Sequence, residues 1–166
     1  MPDTTSTVAS LMLRELDTFK REIAAFPDDD GPWNSRPGIA NTAGTLALHC
    51  AGNIQHFIGA KLCGTGYVRQ RDLEFSRRGV SRSEITSELD RAIAALHLLE
   101  GKMDADLPAV FPEPFGGKQV NTDVMLVHLA VHLGYHLGQA DYHRRLSTGD
   151  GQALDGVSAK ELPPAT

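Results

Sequence analysis

His128-Leu-Ala-Val-His132-Leu-Gly-Tyr-His136-Leu-Gly-Gln139 sets three histidines four residues apart inside an apolar run. On a helix each such step turns about 40°, so neighbouring histidines share one face. Their Cβ atoms then lie roughly 5–6 Å apart. Two imidazoles at that spacing can meet on one ion, with bonds of about 2.0–2.1 Å. The zinc-protease pattern has the same spacing but places Glu after the first His as general base. Leu129 and Leu133 hold those places here, which excludes that reading. Spacing alone leaves two pairs equivalent, His128 with His132 and His132 with His136. Gly134 and Gly138 flank His136. Glycine inside a helix costs about 1 kcal/mol against alanine, so a neighbouring helix approaching that turn is expected. Gln139, seven after His132, falls on the same face and is placed to orient a ligand or water.

Outward from this stretch, the remaining chain reads as helices. Val8, Leu11, Leu13, Leu16, Phe19, Ile23 and Phe26 recur at helical spacing over residues 5–26, with charged residues between. Pro27 and Asp28-Asp29-Asp30-Gly31 end that helix. Residues 27–40 form a loop with three prolines and Trp33, read as a packing anchor. A second helix is capped by Asn41 or Thr42 and runs to about Leu62, stopped by Gly64-Thr-Gly66. Its stripe carries Leu46, His49, Asn53 and His56. His49 and His56 share a face but lie about 10 Å apart along the axis, so one ion cannot take both. Residues 65–80 read as a polar, glycine-bounded loop. Ser81-Arg-Ser-Glu84 matches a capping box and opens a third helix to about Met103. His97 lies off its apolar stripe and reads as a surface residue. Residues 105–120 form a long connection with room for a short hairpin. Asn121 or Thr122 caps the fourth helix, which runs to about Ser147. That helix is apolar nearly all round from Val124 to Leu137, the pattern of the most buried member of a bundle. The chain thus reads as one all-α domain, a four-helix bundle over 1–147 with long loops after helices 1, 2 and 3, and a loosely packed extension over 148–166.

The 166 residues suffice for one real core. A net charge of −5 gives no electrostatic footprint for nucleic acid. Cys50 and Cys63 lie thirteen apart with no C-x-x-C, which argues against a disulfide framework or a cysteine zinc site. No apolar run reaches membrane-spanning length and the start of the chain has no secretory pattern, so the expectation is a reduced, cytoplasmic protein without nucleic-acid or membrane partners.

Cofactor sites in helical bundles are built from side chains on facing helices. Two ligands from the fourth helix need a third, and His49 near the centre of the second is the natural one. Three imidazoles with open positions describe a catalytic rather than a structural metal. Such an ion lowers the pKa of water or of a thiol. Imidazole suits several metals, so the residues do not choose among them. His56 and His128 are expected near the site without ligating. Glu74 and Asp141 are candidate bases if the fold brings them close, and Tyr135 and Arg144 candidate substrate contacts.

The run His132-Leu-Gly-Tyr-His136-Leu-Gly-Gln139 resembles the C-terminal H-x-x-x-H-x-G-Q of the DinB/YfiT-like superfamily, as does the histidine of Gly44-Thr-Leu-Ala-Leu-His49. Leu48-His49-Cys-Ala-Gly52-Asn53 and Arg69-Gln-Arg71-Asp-Leu-Glu74-Phe75 look like an uncharacterised DinB-related subgroup. The resemblance spans roughly residues 8–147. It implies an up-down-down-up bundle, a homodimer, and a divalent ion on His49, His132 and His136, with zinc or nickel ahead of iron or manganese. It also implies a small-molecule substrate. Some relatives are transferases or isomerases that use low-molecular-weight thiols such as bacillithiol, mycothiol or glutathione. The expected activity is therefore transfer of such a thiol, presented as a metal-bound thiolate. The alternatives are a metal-dependent hydrolase and a non-catalytic metal-binding dimer acting in a stress response. Where the family usually has a basic residue before the last glycine this chain has Leu137, which leaves the histidine motif intact.

Overall fold

A computed structural model of the chain describes residues 3–154, 156 and 158–162. Five helices and short 3₁₀ turns, joined by loops, form the described residues, and no strand forms among them. Helix α1 spans Thr4–Ala24. Its Asp3 cap accepts the Ser6 N–H at 2.8 Å. The Asp104 carboxylate also receives the Thr4 and Thr5 N–H groups at 3.0 and 2.8 Å, so two acids satisfy the free donors of one helix start. Helix α2 spans Ala43–Ile54 and continues without a break through a π-helical turn, Gln55–Ala60, into a last turn, Lys61–Cys63. Gly64, in the left-handed region at φ 66°, stops it. Helix α3, Arg71–Ser76, is short. Helix α4, Arg82–Glu100, opens on the expected Ser81/Glu84 capping box. Helix α5, Thr122–Thr148, is the longest and ends at Gly149.

Four of these helices form a bundle with one apolar core. Side-chain bonds fix their directions. Lys20 on α1 meets Asp90 on α4, and Arg82 at the start of α4 reaches the Phe26 carbonyl beyond the end of α1, so these two are antiparallel. Gln55 bonds Glu88 while Gly59 lies against Ala95, so α2 and α4 run parallel. At one end of α5 the Ala43 N–H of α2 donates to His143, and nearly two turns of α2 later His49 meets His132 and His136, so α2 and α5 are antiparallel.

Two expectations need correction. Residues 65–80 are not all loop: they contain α3, too short for its periodicity to register. The most buried helix is α2, not α5. Every residue of Ala43–Ile54 is buried, because α3 and the Trp33 loop cover the side that faces away from the bundle. The Trp33 ring stands where a Cβ on Gly44 would be 2.9 Å away, and its indole N–H donates to the Val80 carbonyl at 2.9 Å, as a packing anchor should. Helix α5, apolar all round in sequence, leaves Val124, Val131, Tyr135, Tyr142 and Leu146 in solvent. The connection before α5 does hold a small hairpin, with bridges Val110–Asn121 and Phe115–Lys118 around Gly116-Gly117. No described helix is long and apolar enough to cross a membrane.

Candidate metal centre

The antiparallel crossing of α2 and α5 places His49 opposite one turn of α5. The Nε2 atoms of His49 and His132 are 3.2 Å apart, and those of His132 and His136 are 3.1 Å apart. One ligand atom from each ring lies within 4.8 Å of the others, a cluster that could hold a metal ion. Two nitrogens each about 2.0–2.1 Å from a shared ion stand roughly 2.8–3.4 Å apart for octahedral to tetrahedral angles, so the spacing fits. His49 is buried and the two α5 histidines are only partly so, which leaves the remaining side of the cluster open.

The outer nitrogens explain why the inner ones face each other. His49 Nδ1 lies 2.9 Å from Glu74 Oε2. Since a carboxylate only accepts, the ring is protonated at Nδ1 and its Nε2 lone pair is free. His136 Nδ1 lies 2.7 Å from Gln139 Oε1, which fixes the same tautomer there. Burial, then the neighbouring His136 and His49, push the His132 pKa down to about 4. Burial lowers that of His136 as well, against the opposing bond to Gln139. Lowered pKa values thus keep His132 and His136 neutral at pH 7, and their Nε2 atoms converge with that of His49, an arrangement that can ligate a cation.

Glu74 comes from α3, and that short helix exists in this fold to deliver it. Burial alone would raise its pKa, but bonds from Arg69 and His49 outweigh burial and hold it below the ordinary carboxylate value. Arg69 grips both oxygens, at 2.7 and 2.8 Å. Gly52 makes the approach possible, since a Cβ there would lie 2.3 Å from Glu74 Oε1. The Phe75 ring closes over His49 with centroids 4.7 Å apart. Sequence reasoning named Glu74 only as a conditional base. In the structure it orients the His49 ring, and the readable signal was Gly52, one turn after His49, which leaves room for a carboxylate from beyond the loop.

The other candidates fall outside the cluster. The His56 ring pairs with Glu113 at 3.3 Å, and Lys61 holds the same carboxylate at 2.7 Å. As expected, His56 stands two turns beyond His49, about 10 Å along the axis, where the π turn Gln55–Ala60 has just begun. His128 stacks on Phe115, with its centroid 6.3 Å from that of His132. Asp141 pairs with Arg144 and Arg145 rather than with the histidines. Arg144 is not a substrate contact: it is fully buried, bonded to Glu22, Asp141 and the Asp150 and Gln152 carbonyls. It thereby ties the start of the C-terminal extension to the bundle. Tyr135 lies beside His136 but points into solvent. The open space over Gly134 and Gly138 also corrects the sequence expectation, since no described neighbouring atom comes within 4 Å of a Cβ at either position. His143 is structural, donating to the Asn34 carbonyl at 2.7 Å and accepting the Ala43 N–H at 3.3 Å to cap α2.

Comparison with protein-family models, curated proteins and solved structures found no match to the chain.

Proposed function

We propose that the chain is a metal-dependent enzyme of the DinB/YfiT-like type that transfers a low-molecular-weight thiol to an electrophilic small molecule. The observation that carries the metal reading is the convergence of three imidazole Nε2 atoms, with two of the rings held by bonds to Glu74 and Gln139. The helix directions described above, with α2 and α4 opposed to α1 and α5, support the up-down-down-up topology that the resemblance implies. A divalent ion on these residues supplies the positive charge that lowers the pKa of a thiol or water reaching it. His49, His132 and His136 hold the ion, Glu74 and Gln139 hold two of the rings, and Phe75 screens His49 from water. In the transfer, sulfur bonds to the electrophilic carbon as its leaving group departs, and the thiol proton passes to solvent. Homodimerisation belongs to the same proposal.

A second reading, a metal-binding module without turnover, draws on one observation. Glu74, the carboxylate beside the cluster, is committed to Arg69 and His49 and is not free to act as a base. Cobalt-loaded protein separates the readings. Bacillithiol, mycothiol or glutathione is expected to produce a new charge-transfer absorption, because a thiol with a free pKa of about 8.5 ionises readily beside a divalent cation. A response to water-competing anions alone would move the proposal to hydrolysis. No response to any thiol at full metal occupancy would leave the binding module ahead.

A further inference from the structure

Along the solvent side of α5 runs an apolar stripe that no described residue covers. Val124, Val127, Val131, Tyr135, Tyr142 and Leu146 are 48–67% exposed and recur mostly every three or four residues over about 33 Å. An exposed helix face is normally polar, and an uncovered apolar patch of this extent marks an interaction surface. No lysine interrupts it, and the charges at its margins are Asp123 near one end and Arg145, paired with Asp141, near the other.

We propose that this face packs antiparallel against the same face of a second copy, with the two-fold axis passing between Gly134 and Tyr135. In that register the stripe is complementary to itself. Val127 meets the partner's Tyr142, and Val124 lies beside the partner's Leu146. Val131 enters the open space over the partner's Gly138, and Tyr135 the space over the partner's Gly134. Both glycines have no described atom near the Cβ position, so the holes are already present. Asp123 approaches the partner's Arg145, which puts opposite charges at both ends of the pair. A parallel pairing would instead set Asp123 against Asp123 and valine against valine. Such a self-matching surface is what an isologous dimer requires. The proposal rests on the homodimer reading above and adds its surface and register. Because His136 follows Tyr135 directly, the two metal centres would lie close to the shared axis.

The test uses the full-length, metal-loaded protein. Sedimentation at micromolar concentration is expected to give twice 17.9 kDa for the wild type. Val131→Glu and Tyr142→Glu are expected to give the single-chain mass with unchanged helical circular dichroism, and Val68→Glu, equally exposed but elsewhere, the dimer. In a Cys63→Ser background, Val127→Cys with Tyr142→Cys should cross-link copies on oxidation, since those positions are too far apart within one chain. Tyr135→Cys alone should cross-link at the axis. A monomeric wild type would overturn both the dimer and its surface. A dimer indifferent to both glutamates, or Val127→Cys alone cross-linking as well as the double variant, would leave the dimer standing and overturn this face or register.

Discussion

At the scale of single residues, the candidate centre depends on what holds the outer nitrogens. Glu74→Gln keeps the shape of the side chain but weakens its hold on His49 Nδ1 and Arg69. Loss of such a supporting bond typically costs 10–100-fold in metal affinity, and a competition titration against a chelator should show a drop in that range. Gly52→Ala should act through the same carboxylate, because the new methyl must displace Glu74. Overpacking of this kind costs about 1–3 kcal/mol, to be read from urea denaturation, and metal affinity should fall with it. The centre also makes the metal-free protein acid-sensitive. His132 takes its proton near the ordinary value of 6.5 when unfolded and at about 4 when folded, so between those values the unfolded chain binds more protons. Glu74, depressed in the fold, adds stability that is lost as pH falls through the carboxylate range. Both act in one direction. Thermal midpoints of chelator-treated protein should decline from pH 7 toward pH 4, and a flat profile would contradict the burial of His132.

At the scale of elements, what was legible in sequence was whatever repeats. The stripes of α1 and α4, the Ser81/Glu84 box and the four-residue histidine spacing all follow from helical geometry, and they placed four long helices and the two α5 rings that converge with His49. What did not repeat was hidden. Helix α3 is six residues long and shows no period, and the π turn in α2 leaves no mark in composition. The apolar run of α5 was read as depth, although a stripe meant for a partner has the same composition as one meant for the core. Arg144 was misread for a related reason, since its partner Glu22 lies on α1 and no local pattern links them. That pair gives a prediction on the element scale. Arg144→Ala leaves Glu22 buried without its cation and frees the Asp150 and Gln152 carbonyls. Breaking a buried pair from one side costs about 3–5 kcal/mol. Chemical denaturation should show that loss, with faster amide exchange in residues 149–154.

For the whole molecule, the bundle brings one turn of α5 level with His49 while α3 locks His49 from outside, so the centre is a product of the tertiary fold and not of one motif. His128 shares the sequence spacing of His132 and His136 but is drawn to Phe115, which makes it an internal control. The most direct measurement is therefore metal stoichiometry after equilibrium dialysis against zinc or nickel, compared for the wild type, His132→Ala and His128→Ala. About one ion per chain is expected for the wild type and for His128→Ala, and none retained for His132→Ala. Full occupancy in His132→Ala, or its loss in His128→Ala, would contradict the assignment of the centre to His49, His132 and His136.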